Sequence, residues 1–328
     1  MKDRILGKKG FEVSEVGLGC WQLGADWGEA ISKDNAFEIL NEAVKNGITF
    51  FDTADVYGNG KSETLIGEFL KTCDVPIRVA TKFGRAGNAY PDKYSKDVLR
   101  KTVEGSLKRL QVDTLDLLQL HCIPSQYLKD GEVFNWLRDL QAEGLIKHFG
   151  ASVETVEEGL ICMKQEGLLS LQVIFNIFRQ KLVSELFPVA KEKGVGIIVR
   201  LPLASGLLTG KFNTQTTFPE NDHRNFNKDG ESFNVGETFA GLPFKKGVEL
   251  VETIKKDILS DDLTMVQLSL RWILDHDAVS TIIPGASSPK QVIGNAAVSN
   301  LEHLSPQTHE QLKEFYKNHV HQHIRGGY

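Results

Sequence analysis

The sequence predicts an α/β fold, a (β/α)8 barrel, on two observations. Short β-rich apolar runs alternate along the chain with amphipathic helical stretches, and the runs number eight. Strand–helix alternation makes successive strands parallel, and eight parallel strands close into a barrel. The 328 residues exceed a typical barrel, which leaves room for insertions. One domain over residues 1–328 is the expected organisation.

In chain order, residues 1–15, with Gly7 and Gly10 in a turn, read as an N-terminal hairpin placed to plug the barrel bottom. The predicted strands are 16–20, 48–51, 77–81, 115–120, 146–150, 171–175, 196–199 and 279–282. Helix 34–46 carries Phe37, Leu40, Ala43 and Val44 on one side and stops at Gly47. Helix 95–110 opens on Ser95 and Asp97 and repeats Val98, Leu99, Val103, Leu107 and Leu110 at helical spacing. Residues 211–246 are rich in Asn, Gly, Asp and Thr with little periodic apolar pattern, so they read as a lid or binding loop, or as disorder. Residues 306–328 read as a final helix followed by a tail containing His319, His321 and His323, flexible or partly folded over the rim rather than a metal site.

The bulk numbers exclude several classes. A formal net charge of −5 offers no basic face for nucleic acid. No apolar run reaches a membrane span, and the first residues lack the apolar core of a signal peptide, so a cytoplasmic protein is expected. Cys20, Cys73, Cys122 and Cys162 form no CxxC pair, which argues against a disulfide framework or structural zinc. No metal is expected. A metal-dependent barrel hydrolase would carry His-x-His on an early strand, and none occurs there. A Rossmann dehydrogenase would carry GxGxxG after its first strand, but Gly17-Leu18-Gly19-Cys20-Trp21-Gln22 lacks the third glycine.

Four polar residues fall at the C-terminal ends of successive predicted strands. Phe50-Phe51-Asp52 delivers a carboxylate, and Tyr57 follows in the loop. Ile77-Arg78-Val79-Ala80-Thr81-Lys82 delivers an ammonium, and Leu117-Leu118-Gln119-Leu120-His121 an imidazole. In a parallel barrel these ends share one rim, where such folds place active sites. A phenol has an ordinary pKa of about 10 and is a poor acid at neutral pH. An ammonium about 4 Å away is worth roughly 4 kcal/mol at an effective dielectric of 20, so Lys82 is expected to lower Tyr57 by up to about three units. Asp52 would keep Lys82 charged, and His121 would polarise a substrate oxygen. The set suits proton transfer to a carbonyl oxygen. No side chain carries hydride, so a nicotinamide cofactor is required. Taken singly, Tyr57 is equally a rim packing residue, Asp52 a turn residue, Lys82 a solvated strand end and His121 a loop histidine; their coincidence carries the reading.

At these residues the chain resembles an aldo-keto reductase over nearly its whole length. The recurring pieces appear in order: Gly17-Leu18-Gly19-Cys20-Trp21, Phe51-Asp52-Thr53-Ala54 with Tyr57-Gly58, Thr81-Lys82, Asp116 to His121, Gly150-Ala151-Ser152, Pro202 to Lys211, and Ile283-Pro284-Gly285-Ala286-Ser287. The resemblance implies a catalytic set of Asp52, Tyr57, Lys82 and His121, and a barrel that binds NADPH or NADH across its rim. Gly19, Trp21 and Asp52 are then counted among the cofactor contacts. Ser152 and Gln172 match positions that bond the nicotinamide carboxamide, with Val153 where many members have Asn. Arg200 stands where many members stack an aromatic ring, and it stacks on the nicotinamide or is a solvated strand end. Leu203, Ser205, Gly206 and Lys211 match the loop over the pyrophosphate. Gly285, Ser287, Gln291 and Asn295 match the adenosine end, at a helix N-terminus suited to phosphate.

Arg224 stands where related members meet a 2′-phosphate, or is a solvated loop arginine. Family habit favours NADPH, and NADH stays open. Trp21, Trp27, Tyr57 and His121 would line a pocket for a small carbonyl or alcohol substrate. The same resemblance also covers channel-associated subunits that keep the cofactor and could keep the whole set, so a sensor with little turnover stands as the alternative.

Overall fold

A computed structural model describes residues 1–24 and 31–328. Trp27, expected in the substrate pocket, lies outside the described residues. An antiparallel hairpin opens the chain, β1 (Asp3–Ile5) with β2 (Glu12–Ser14). Eight strands follow: β3 (Leu18–Gly19), β4 (Phe50–Asp52), β5 (Arg78–Phe83), β6 (Leu115–His121), β7 (Ile146–Ser152), β8 (Leu168–Ile174), β9 (Gly196–Arg200) and β10 (Val279–Ile282). They pair in parallel in chain order. Parallel bridges Val16–Ile282 and Gly19–Gly285 join the first strand to the last and bring the ring to near closure. Gly19 permits this approach, because a Cβ there would lie 2.7 Å from the Ile283 carbonyl.

Helices cover the outside, and their ends follow local side-chain chemistry. Ser32 caps helix Lys33–Lys45 by accepting from the Asn35 amide, and Ser95 caps Lys96–Leu110 by accepting from Val98. Thr155 with Glu158, and Thr264 with Gln267, form capping boxes on helices Val156–Cys162 and Met265–Leu274. No helix among the described residues is long and apolar enough to cross a membrane.

Two apolar layers result. The larger fills the space between strands and helices. The smaller fills the barrel interior, where Phe50, Ala80, Leu117, Leu169 and Ile198 meet Leu6 and Val13 of the N-terminal segment. The hairpin thus plugs the bottom, as its position suggested.

The strand ends need correction, and two open readings are narrowed. The predicted strands stop short at the rim: β5, β6 and β7 run on to Phe83, His121 and Ser152. Lys82 still pairs with Gln119, and His121 with Ser152, because ladder bonds come from the backbone whatever the side chain. Residues 211–246 are packed turns, with short helix His223–Phe226 and buried Asp222, Asn227, Glu237, Thr238 and Phe239. The tail is docked as well. After helix Pro306–Phe315, Arg325 bonds the Gly241 carbonyl and Asp229, and the Tyr316 hydroxyl bonds that of Tyr328.

Candidate active site

Strand periodicity builds the site. Successive side chains alternate across a strand, so residues two apart share the barrel interior. Phe50, Ala80 and Leu117 belong to the interior apolar layer. Two residues further toward the rim, the same inward face carries Asp52, Lys82 and Gln119, and then His121. The interior is apolar below and polar above. Asp52, Lys82, Gln119 and Gln172 are buried side by side, at 3%, 0%, 0% and 1% exposure.

A buried ammonium needs anionic and neutral acceptors in good geometry. Lys82 Nζ lies 2.6 Å from Asp52 Oδ2, 2.7 Å from the Thr53 carbonyl and 3.3 Å from the Tyr57 hydroxyl. The other Asp52 oxygen accepts from Gln172 Nε2 at 2.7 Å and Gln119 Nε2 at 3.2 Å. Burial works against the Lys82 charge, but Asp52 and Tyr57 outweigh it and hold the ammonium above its ordinary pKa. The structure reverses the expected shift at Tyr57. Burial pushes the phenol up, and this exceeds the lowering by Lys82, so Tyr57 is a protonated donor at neutral pH. His121 is pushed well below its usual value by burial and by Arg85, Lys82 and Arg200, and stays a neutral imidazole. Its ring meets Tyr57 edge-on with centroids 6.0 Å apart, and Trp21 stacks on Tyr57 at 6.1 Å. The His121 Nδ1 is buried with no hydrogen-bond partner among the described residues.

A second charged group borders this one. Arg85 reaches Glu154 at 2.9 Å and Glu237 at 2.6 Å, and Arg200 reaches Glu237 at 3.5 Å. Arg200 also donates toward the Cys122 sulfur at 3.4 Å and the Val153 carbonyl at 3.5 Å. Burial works against the Glu237 charge, but Arg85 and Arg200 hold it down at about 2. Cys122, Glu154 and Glu237 present ligand atoms within 4.8 Å of one another, yet the two guanidiniums already hold these carboxylates.

A family model described as the aldo/keto reductase family matches residues 15–317. The chain belongs to the aldo/keto reductase family. It is 31% identical over 95% of its length to an uncharacterised oxidoreductase, YqkF of Bacillus subtilis, and covers 95% of that protein. It is similar in structure to the glycerol dehydrogenase AKR11B4 from Gluconobacter oxydans, with a TM-score of 0.80, 29% identity and coverage of 99% and 98% of the two chains. The aldo-keto reductase AKR11C1 from Bacillus halodurans, in its holo form, gives 0.76 and 28% over 98% and 99%.

In this aldo/keto reductase the remaining expected residues divide. Ser152 ends β7 beside Gln172, and its hydroxyl has a long 3.5 Å contact with Gln172 Oε1. The turn after Leu203 takes left-handed backbone at Ser205 (φ 55°) and Gly206 (φ 96°). The Ser205 hydroxyl donates to the Glu237 carbonyl, tying this turn to the long loop. Lys211 is exposed and makes no ion pair among the described residues. Ser287 bonds Gln291 through both its amide and its hydroxyl. Asn295 is buried in helix Pro289–Ala297, whose cap Ser288 makes no side-chain capping bond. The helix starts on Pro289, which has no amide hydrogen, and Gln291 donates its amide to the Ser288 carbonyl.

Arg200 and Arg224 are not solvated arginines. The Arg200 side chain is 13% exposed inside the ion cluster. Arg224 is paired with Asp222 through Nε and Nη2, and its guanidinium lies 4.5 Å over the Phe218 ring. Sequence reasoning did not single out Gln119, Arg85, Glu154 or Glu237. Gln119 carried a usable signal, a lone amide inside an apolar strand run. The other three carried none, because their partners lie 69 and 152 residues apart.

Proposed function

We propose that this protein is a nicotinamide-dependent oxidoreductase acting on a carbonyl or alcohol, with Tyr57 as the proton donor and acceptor. The observation that carries this reading is the buried contact of Lys82 with both Asp52 and Tyr57, with neutral His121 against the same ring. Bound nicotinamide would supply hydride to the carbonyl carbon. Ser152, Gln172 and Arg200 would hold its ring end, the 203–206 turn and Lys211 its pyrophosphate, and Ser287, Gln291 and Asn295 its adenosine end.

In the reductive direction a carbonyl oxygen sits between the Tyr57 hydroxyl and the His121 ring. Tyr57 gives its proton to that oxygen as negative charge develops there. The resulting phenolate lies against Lys82, whose charge stabilises it, and Asp52 keeps that ammonium in place. The neutral imidazole donates a hydrogen bond to the same oxygen without competing for the proton. Water returns the proton to Tyr57 after turnover, and the oxidative direction runs these steps backwards. Burial favours a protonated Tyr57, which suits reduction at neutral pH.

The cofactor reading is NADPH. With Arg224 paired to Asp222 and Lys211 placed at the pyrophosphate, Lys290, exposed beside Gln291, is the cation offered to an extra phosphate. Fluorescence titration with NADPH and NADH checks the preference. Tyr57→Phe tests the mechanism: turnover of an aromatic aldehyde should fall about 10²–10⁴-fold while cofactor affinity stays within about twofold. Wild-type turnover in that variant removes Tyr57 from the chemistry. Tight cofactor binding without turnover across a broad panel of aldehydes, ketones and sugars would reject the enzyme reading itself.

A further inference from the structure

We propose that the cavity beside Arg179 binds a single monatomic anion, with chloride as the natural occupant, and that Tyr328 closes it. The starting observation is a buried cation with nothing to balance it. Arg179 follows β8 and is 1% exposed. Its Nε, Nη1 and Nη2 atoms are all buried with no hydrogen-bond partner among the described residues. Burial and the neighbouring Arg200 push its pKa down to about 10, which still leaves it charged at neutral pH. A guanidinium buried without a counter-charge costs several kcal/mol, so folded proteins pair such groups.

The Tyr328 ring lies 4.4 Å from the guanidinium. A cation–π contact offers no acceptor for the five N–H groups of the guanidinium. The carboxylate that lines the cavity is already taken: Glu154 accepts from Arg85 on one oxygen and from Asn234 on the other. Arg85, Arg179 and Arg200 are three cations, and Glu154 and Glu237 are two anions. The cluster is one negative charge short.

The cavity sets the size of the missing charge. Arg179 lines it with Val153, Glu154, Thr155, Val173, Leu186 and Tyr328, and its volume is about 10 Å³. That is room for about one water-sized particle. A phosphate or a substrate carboxylate does not fit, whereas a halide ion is close to the limit of the space. Glu154 and Thr155 also line the space, but the Glu154 oxygens are held by Arg85 and Asn234 and the other walls are mainly aliphatic, so Arg179 is the charge left uncompensated there. The surroundings also hold Arg179 in place. A Cβ on Gly236 would fall 1.8 Å from Arg179 Nη1, so only glycine lets the long loop close over the guanidinium. Lys181 donates to the Tyr328 carbonyl at 3.0 Å and fixes the ring above the cavity. The inference is independent of the redox reading, since none of these atoms takes part in proton transfer.

Bromide substitutes for chloride and scatters anomalously, so crystals of the wild-type protein soaked in sodium bromide provide a direct test. An anomalous peak in contact with the Arg179 guanidinium under the Tyr328 ring is expected, and its absence overturns the proposal. In solution, replacing gluconate by chloride at a fixed ionic strength of about 0.15 M should raise Tm by about 2–4 °C. Arg179→Met should abolish that increment, and Tyr328→Leu should weaken the apparent chloride affinity at least about tenfold. An Arg179→Met protein that keeps the full chloride increment refutes the site. If that variant does not fold, the bromide map and the Tyr328→Leu titration decide the matter alone.

Discussion

Asp55→Asn should stabilise this protein at neutral pH and leave it unchanged in acid. Asp55 follows β4 in the loop that leads to Tyr57 and is 8% exposed. Its Oδ1 has no hydrogen-bond partner among the described residues. Burial and the neighbouring Glu63 carboxylate push its pKa from 3.8 up to about 7. Glu63 cannot move away, because Thr81 donates to one of its oxygens at 2.5 Å and Arg109 to the other at 2.6 Å. Between about pH 4 and pH 7 the unfolded chain has lost this proton while the folded chain retains it. Stability therefore falls across that window, is fully restored below it and is flat above it. A shift of about three units at about 1.4 kcal/mol per unit sets a ceiling of about 4 kcal/mol. Asparagine keeps the shape and a donor but never ionises, so it escapes the loss. Urea unfolding at pH 8 should show the variant more stable by about 2–4 kcal/mol, and at pH 4 the two proteins should coincide. A variant that is destabilised at pH 8, or one whose difference is independent of pH, would show that the carboxyl is not held neutral by its surroundings.

Two further variants probe the site's supports. Gln172→Leu removes the 2.7 Å bond to Asp52 Oδ1 and leaves that oxygen to Gln119 alone. Turnover should drop about tenfold and stability by about 1.5–3 kcal/mol; if neither moves in kinetics and urea unfolding, Asp52 does not depend on this amide. Arg85→Met strips Glu237 and Glu154 of their shared cation, so limited proteolysis should cut the 211–246 loop at least about tenfold faster. Glu237 is held at about 2, below its ordinary 4.5, so its stabilisation is complete above about pH 4.5 and is lost as pH falls toward 2. In Arg85→Met that acid-dependent loss should shrink, and an unchanged profile would place the loop's anchor elsewhere.

What the sequence makes legible here follows from how far each signal travels along the chain. Strand order and the rim address of Asp52, Lys82 and His121 are local: an apolar run of period two with a polar residue at its end says where that residue points. The strand ends are less legible, since backbone pairing carries β6 through His121 after the apolar run has stopped. Charge balance is not local at all. Arg85 sits two residues past β5, with no visible partner until Glu154 and Glu237 arrive from β7's end and the long loop. That same distance reverses the reading of Tyr57. From the sequence, Lys82 is a nearby charge in a solvent of intermediate dielectric, and it lowers the phenol. In the folded protein the strands and Trp21 remove water from around the ring, and the cost of an exposed-state anion made buried exceeds what one ammonium returns. The lysine's attraction is also shared, because Asp52 holds it at 2.6 Å while Tyr57 has it only at 3.3 Å. A phenol kept protonated at rest, beside a cation already in place for the moment it ionises, is better arranged for giving a proton to a carbonyl than one that has lost it beforehand. The correction therefore strengthens the proposed role of Tyr57 by a different physical route from the one its spacing suggested.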